Sequence, residues 1–323
     1  MNPYVANLGL LVFGVGILYI GAEWLVRGSS RLATSMGISP VVVGLTVVSF
    51  GTSAPELVVA LIAALEGNPD LAMGNVMGSN LANVGLILGL TAMIRPMDVA
   101  SRVVRREIPI MLLLTLLLFP IVANGQISAF EGGVLFALLV TYLAFVNRAQ
   151  ADTVPDEIAE TFQSFAEAQR QFAPHIAGLD FVFVISGSLG LVLGGTAIVR
   201  SAEFLAASFG IPDVIIGLTV VAVGTSLPEL ATAVVAAIRG ESDLAVGNIV
   251  GSNIFNIAAI LGITSMITPI DVSTTVITRE LPAVLLISVL VLPLTRTGFR
   301  VRRWEGIVLL ASYFLLTTWL VAF

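Results

Sequence analysis

Cysteine and lysine are missing from this chain of 323 residues, histidine occurs once, and charged side chains make up only 11% of it. Without cysteine there is no disulfide, no thiolate metal site and no cysteine nucleophile. No histidine and no aspartate pair falls inside an apolar segment, so the chain offers an enzyme no acid–base dyad beyond two glutamates described below. It is not read as an enzyme, and no cofactor is implied. No basic stripe with interleaved aromatics occurs, which excludes nucleic acid as a partner. What remains is apolar: 57% of residues are hydrophobic and the mean hydropathy is +1.02. Such a chain must satisfy its backbone polar groups in lipid, and the bilayer is its first partner. The net charge of −6 is not an even field, because much of the acid lies between Asp152 and Glu167. Met1–Ala6 lacks the basic region of a cleavable signal, so the first apolar stretch is expected to stay as a membrane helix.

The chain repeats itself. Gly44-Leu-Thr-Val-Val-Ser-Phe-Gly-Thr-Ser-Ala-Pro-Glu56 returns as Gly217-Leu-Thr-Val-Val-Ala-Val-Gly-Thr-Ser-Leu-Pro-Glu229. The match runs without a gap from Gly44–Pro96 to Gly217–Pro269, with about thirty of some fifty positions identical. Apolar runs of spanning length, about 20 residues each, fall near 8–26, 40–65, 71–94, 107–123 and 130–147, then near 179–199, 213–238, 244–267, 280–295 and 305–322. The expected fold is all-α and polytopic, with ten transmembrane helices in two five-helix repeats, 1–147 and 179–323, joined by a linker at 148–178.

Arginine sets the orientation. One set of alternate loops holds Arg27, Arg31, Arg95, Arg102, Arg105, Arg106, Arg148, Arg170, Arg239, Arg296, Arg300, Arg302 and Arg303; the other holds Arg200 and Arg279. The arginine-rich side is cytoplasmic, and both termini are extracytoplasmic. An odd number of spans per repeat makes the repeats inverted. The polar linker reads as a solvated cytoplasmic connector with a short surface helix near Glu157–Phe172; a regulatory cation site there is the alternative. His175 lies in it, exposed rather than a proton shuttle.

The chemistry sits in the second and third spans of each half. Gly51, Pro55 and the Thr52-Ser53 hydroxyls interrupt a helix at bilayer depth, and the same break recurs at Gly224–Pro228. Ser53 followed by Glu56 also reads as a capping box that restarts the helix. A carboxylate at that depth must be paired or coordinated, so Glu56 and Glu229 are cation-ligand candidates. Thr52 and Ser53 add hydroxyls, and the broken turn frees carbonyls, those of Ser49 and Ala222 being nearest. Hard oxygen ligands suit calcium, and sodium can use the same set. The third spans, also read as interrupted at matching places, carry Gly74-Asn-Val-Met-Gly-Ser-Asn-Leu-Ala-Asn83 and Gly247-Asn-Ile-Val-Gly-Ser-Asn-Ile-Phe-Asn256. Ser79 and Asn83 share a helix face, as do Ser252 and Asn256, facing the glutamate segments. Interhelical hydrogen bonding is the other reading of the asparagines, and close helix packing that of Gly74, Gly78, Gly247 and Gly251. Glu23 and Arg27 are one turn apart, as a helix-end anchor or a gate. Glu107 and Glu280, each between Arg and a nearby Pro, read as interfacial helix starts.

The paired G-T-S-x-P-E and G-N-x-x-G-S-N-x-x-N segments resemble the two alpha-repeats of the cation/calcium antiporter superfamily, in its sodium/calcium exchanger branch. The resemblance implies an antiporter that exports Ca2+ in exchange for Na+ by alternating access, working as a monomer in the cell membrane. It implies ion sites lined by Ser49, Thr52, Ser53, Glu56, Ser79 and Asn83, and by Ala222, Thr225, Ser226, Glu229, Ser252 and Asn256, with Ser49 and Ala222 giving main-chain carbonyls. The proton-coupled branch usually carries G-N-x-x-E in place of G-T-S-x-P-E, from which this chain departs. Proton-coupled antiport and a cation channel are the alternatives. Potassium-carrying members, and some prokaryotic sodium exchangers, have Asp where Asn256 stands here. With two carboxylates only, potassium co-transport is disfavoured.

The orientation is checked by thiol labelling in this cysteine-free chain. Ala151→Cys should label from the cytoplasmic side alone and Ser128→Cys from outside alone; the reverse pattern overturns the arginine-based topology.

Overall fold

The structure, a computed structural model, describes residues 3–36, 38–151, 177–209 and 222–322. The expected surface helix near 157–172, His175 and residues 213–221 of the seventh expected span lie outside the described residues. The helices are α1 (Pro3–Met36), α2 (Pro40–Thr52), α3 (Ala54–Leu65), α4 (Pro69–Ile94), α5 (Val103–Asn124), α6 (Ala129–Ala151), α7 (Ala177–Ser208), α8 (Ala222–Thr225), α9 (Leu227–Arg239), α10 (Ser242–Ile267), α11 (Val276–Arg296) and α12 (Arg303–Ala322). Eight are long and apolar enough to cross a membrane, and α2 with α3 forms one further span bent by 45°. Of the seventh expected span, the described residues hold α8 and α9.

Burial ranks the helices. The most apolar stretch of α10 is 100% buried and that of α4 72%, whereas α1 and α12 reach 22% each. The two helices that carry the asparagine motifs are therefore the centre, and the long apolar helices around them face lipid.

The two halves make the same contacts in exchange. Under the 173-residue offset from Gly44 to Gly217, Gly89 corresponds to Gly262. Gly89 packs against Gly306 of α12, and Gly262 packs against Gly132 of α6. Glu131-Gly132 and Glu305-Gly306 are the matching helix starts: Glu131 accepts from the Ser128 amide at 2.7 Å, and Glu305 from the Arg302 amide at 2.6 Å. Short strands behave alike: β1 (Met97–Asp98), β2 (Gln126–Ile127), β3 (Ile270–Asp271) and β4 (Arg300–Val301) pair as β1 with β4 and β2 with β3, both antiparallel. Each strand thus finds its partner in the other half.

α1 and α7 run antiparallel along a seam of small residues. Gly14 meets Gly194, Gly21 meets Gly187 and Leu191, and Gly28 meets Asp180. A side-chain carbon at Gly21 would come within 2.7 Å of the Leu191 nitrogen, so the backbones touch only because none is there.

Three expectations change. The first span is not 8–26 but a helix of 34 residues, so Arg27 and Arg31 lie on helix rather than in a loop. At 1.5 Å per residue it is roughly 50 Å long, well beyond a ~30 Å hydrocarbon layer. The third span of each half is not interrupted; it stays helical and widens into π turns at Ala82–Ile87 and Asn256–Leu261. Glu107 does not start a helix at the interface. It lies in a π turn, Val103–Glu107, fully buried, where Arg102, Arg106 and the Tyr142 hydroxyl donate to it. Pro109 lacks an amide donor, and the wider turn absorbs that loss.

Gly306→Leu should destabilise the protein by about 1–3 kcal/mol, the usual cost of overpacking a tight contact, because a side-chain carbon there meets the Gly89 carbonyl oxygen at 2.6 Å. Thermal unfolding in detergent reads this directly, and an unchanged Tm would disprove the contact.

Candidate functional site

The site is built at two matching breaks. α2 ends at Thr52, Ser53 takes φ −85° and ψ 4°, and α3 restarts at Ala54. Ser226 takes φ −87° and ψ 5° between α8 and α9. The break is narrow. The Ser53 amide still donates to the Ser49 carbonyl at 2.9 Å, so Ser53 forms no capping box with Glu56. With its own amide satisfied locally, Ser53 turns its hydroxyl across the molecule and donates to Glu229 at 3.0 Å. The Ser49 carbonyl accepts from the Ser53 amide at 2.9 Å and, more loosely, from the Thr52 hydroxyl at 3.4 Å. Pro55 and Pro228 cannot donate, and the carbonyls of Gly51 and Gly224 lose the helical partner four residues on.

Glu56 and Glu229 are each 1% exposed, and they stand within electrostatic reach of one another. Ser226 faces Glu56 as Ser53 faces Glu229, but without closing a hydrogen bond. The Thr52 hydroxyl has the Asn248 side-chain oxygen at 3.2 Å and the Ser49 carbonyl at 3.4 Å as acceptors for its one proton, and the Ser49 hydroxyl shares its own between the carbonyls of Gly44 at 2.7 Å and Asn248 at 3.0 Å. Ser79, Asn83, Ser252 and Asn256 are buried on α4 and α10. α3 packs on the π turn that begins at Asn256, and α9 on the π turn that holds Asn83. Each glutamate helix therefore faces the asparagine segment of the other half. Thr225 ends α8, half-buried, and Ala222 begins it.

Gly247 and Gly251 fit the packing reading: a side-chain carbon on either would strike the backbone of α2. Of the segment that corresponds to α2, residues 213–221 lie outside the described residues.

Buried oxygens accumulate here without protein partners. Both carboxylate oxygens of Glu56, one of Glu229, the side-chain carbonyls of Asn83 and Asn256, and the hydroxyls of Ser226 and Ser252 have none among the described residues. A buried acceptor left unsatisfied costs about 1–3 kcal/mol, and more when charged. Among the described ion pairs, neither glutamate has a cationic partner. Two buried carboxylates ringed by hydroxyl and amide oxygens are a donor set for a hard cation, which takes six to eight oxygens if it is calcium.

Three residues of the repeated motif enter the arrangement without having been singled out from sequence. Asn248 engages Thr52 and Ser49, Asn75 donates to the Glu56 main-chain carbonyl at 3.1 Å, and Asn80 accepts from the Asn256 amide at 3.0 Å. By holding the Asn256 amide nitrogen, Asn80 leaves the Asn256 oxygen as the free atom. Their signal was duplication itself, since each belongs to the repeated Gly-Asn-x-x-Gly-Ser-Asn-x-x-Asn segment.

The family described as sodium/calcium exchanger protein matches residues 6–147 and 179–322. The inner membrane protein YrbG of Escherichia coli (strain K12) is 40% identical over 286 residues, covering 87% of this chain and 86% of its own. Sodium/calcium exchanger MaX1 of Methanosarcina acetivorans is 33% identical, over 95% of this chain and 96% of its own. The solved sodium-calcium exchanger NCX_Mj, soaked without Na+ and Ca2+, superposes with a TM-score of 0.81 at 30% identity, covering 98% of this chain and 99% of its own. A polytopic helical membrane protein of the exchanger class is thereby defined. The chain belongs to the sodium/calcium exchanger family.

Asn80→Leu should weaken calcium binding roughly tenfold, the worth of one good buried hydrogen bond, by letting the Asn256 amide rotate. Asn80→Asp, which keeps the acceptor, should retain binding. Isothermal titration with Ca2+ reads both, and equal affinities for the two variants would remove Asn80 from the site.

Proposed function

We propose that this protein is a sodium/calcium antiporter that exports Ca2+ in exchange for Na+ by alternating access. The observation that carries the reading is the set of partnerless buried oxygens centred on Glu56 and Glu229. A buried uncompensated charge resists any rearrangement across the membrane, and either Ca2+ or Na+ would neutralise it. Because both ions need the same oxygens, one must leave before the other enters. That exclusion makes an exchanger rather than a leak.

In this reading Ser49, Thr52, Ser53, Glu56, Ser79 and Asn83, with Ala222, Thr225, Ser226, Glu229, Ser252 and Asn256, line the ion path. The chain works as a monomer, with ten spans in two inverted repeats and the arginine-rich face in the cytoplasm. The exchanged contacts of the two halves and the antiparallel course of α1 and α7 support the inverted arrangement. Asparagine at both 83 and 256 supports exchange without potassium, since the site holds two carboxylates.

Calcium uptake into sealed vesicles with an imposed sodium gradient tests the proposal. Uptake should follow the sodium gradient, proceed without potassium and persist with a protonophore; uptake that needs a proton gradient instead would replace sodium with protons as the driving ion. Glu56→Gln and Glu229→Gln should each abolish uptake while the protein still inserts, because removing a buried charge eases insertion. Either variant transporting at the unaltered rate would exclude that glutamate as a ligand.

A further inference from the structure

We propose that two ion pairs of opposite polarity close the two mouths of the site in turn: Glu23 with Arg239 in the state seen here, and Arg200 with Glu66 in the state that faces the other way. The proposal rests on the alternating-access reading.

The first pair is formed. The Glu23 carboxylate on α1 accepts from Arg239 Nε at 2.8 Å, contacts a second Arg239 nitrogen, and lies 3.5 Å from Arg27. Two turns further along α1, Ser30 donates to Glu241 at 2.8 Å. α1 is therefore fastened at two points to the end of α9. That end is itself tied to the centre, because the Arg95 guanidinium donates to the Ile238 carbonyl. Elsewhere α1 packs chiefly on α7, and only 22% of its most apolar stretch is buried. The Glu23–Arg239 contact thus joins a peripheral helix pair to the central helices.

The 173-residue correspondence gives the second pair. It carries Glu23 to Thr196, Arg27 to Arg200, and Glu66 to Arg239. At the other mouth the long helix therefore offers an arginine and the short helix a glutamate. Complementarity is kept and the signs are exchanged. In this structure that second contact is open: Arg200 and Glu66 are both exposed, and the described ion pairs include neither. Arg200 instead borders a cavity of about 270 Å³, with Pro55, Thr196, Thr225 and Pro228 on its wall, which reaches the residues flanking both breaks. One mouth is fastened while the other opens toward the site. Exposed ion pairs bind weakly, which suits contacts that must break once in every cycle.

The cysteine-free chain permits a direct test in the full-length protein in liposomes. Glu23→Cys/Arg239→Cys and Arg200→Cys/Glu66→Cys are each treated with a short bifunctional thiol reagent that reduction can cleave. Each pair should cross-link, each cross-link should stop calcium uptake at least tenfold, and reduction should restore it. In the fourfold variant a single molecule should carry one bridge, never both. Separately, Arg200→Glu should slow exchange several-fold by setting like charges face to face, and Arg200→Glu/Glu66→Arg should recover it. Both bridges in one molecule would overturn the proposal. So would an Arg200/Glu66 pair that never cross-links in a transporting variant, or a charge swap that fails to recover a rate Arg200→Glu had lowered. If both bridges form and neither slows uptake, it is alternating access itself that fails, a different result from the loss of the second pair alone.

Discussion

Two carboxylates sit inside an apolar helical protein with no positive side chain against them among the described residues, and the rest of the architecture answers to that constraint. Several arginines stand at helix ends: Arg95 follows the end of α4 at Ile94, Arg102 precedes α5, and Arg106 lies in its first turn. Where a buried glutamate is meant to be neutralised by the protein, the means are visible. Glu107 receives two guanidinium groups and a tyrosine hydroxyl. Glu56 receives none of these, and Glu229 receives one serine hydroxyl. An uncompensated buried charge costs several kcal/mol, so the difference between Glu107 and Glu56 favours the proposed reading, in which the first acid is structural and the second is a cation ligand.

Holding such a site in lipid limits how far the backbone can open. Unsatisfied amides and carbonyls are costly there, and the breaks are correspondingly small: a single residue leaves helical geometry at Ser53, and its amide keeps a helical partner. The remaining adjustment is spread into the π turns of α4 and α10, which keep their helices continuous. A π turn also rotates every side chain that follows it. The same-face argument for Ser79 and Asn83 selects residues four apart, and it passes over Asn80, which lies ahead of the π turn and which the structure places against Asn256.

Most of what was legible in the sequence came from duplication. The repeated motif singled out the two glutamates, the serines and the asparagines, and hydropathy located most of the described apolar runs to within a few residues, α1 and α7 running on ten and nine residues past their expected ends. Hydropathy reports where lipid-compatible surface ends, however, and not where a helix ends. It therefore stopped the first span at 26, while α1 continues past Arg27 and Arg31 to Met36. Long-range partners were equally hidden. Nothing near Glu107 announces Tyr142, and the Ser-x-x-Glu spacing at Ser53 suggests a local cap where the hydroxyl instead crosses to Glu229.

The two halves then differ in a way that can be sorted. Ser53 reaches Glu229 while Ser226 does not close on Glu56, and the Asn80 oxygen accepts from Asn256 while the oxygen of its counterpart Asn253 has no partner among the described residues. The compared residue types are the same, while their neighbours differ, Ser49 standing against Ala222 and Phe50 against Val223. In the alternating-access reading, the inequality goes with a conformation in which one mouth is drawn together and the other is not. At positions 23 and 196, and at 66 and 239, the residue types themselves differ. An inequality written into the sequence persists through every conformation. Such positions can set which mouth closes more readily, whereas the matched residues of the site serve both directions alike.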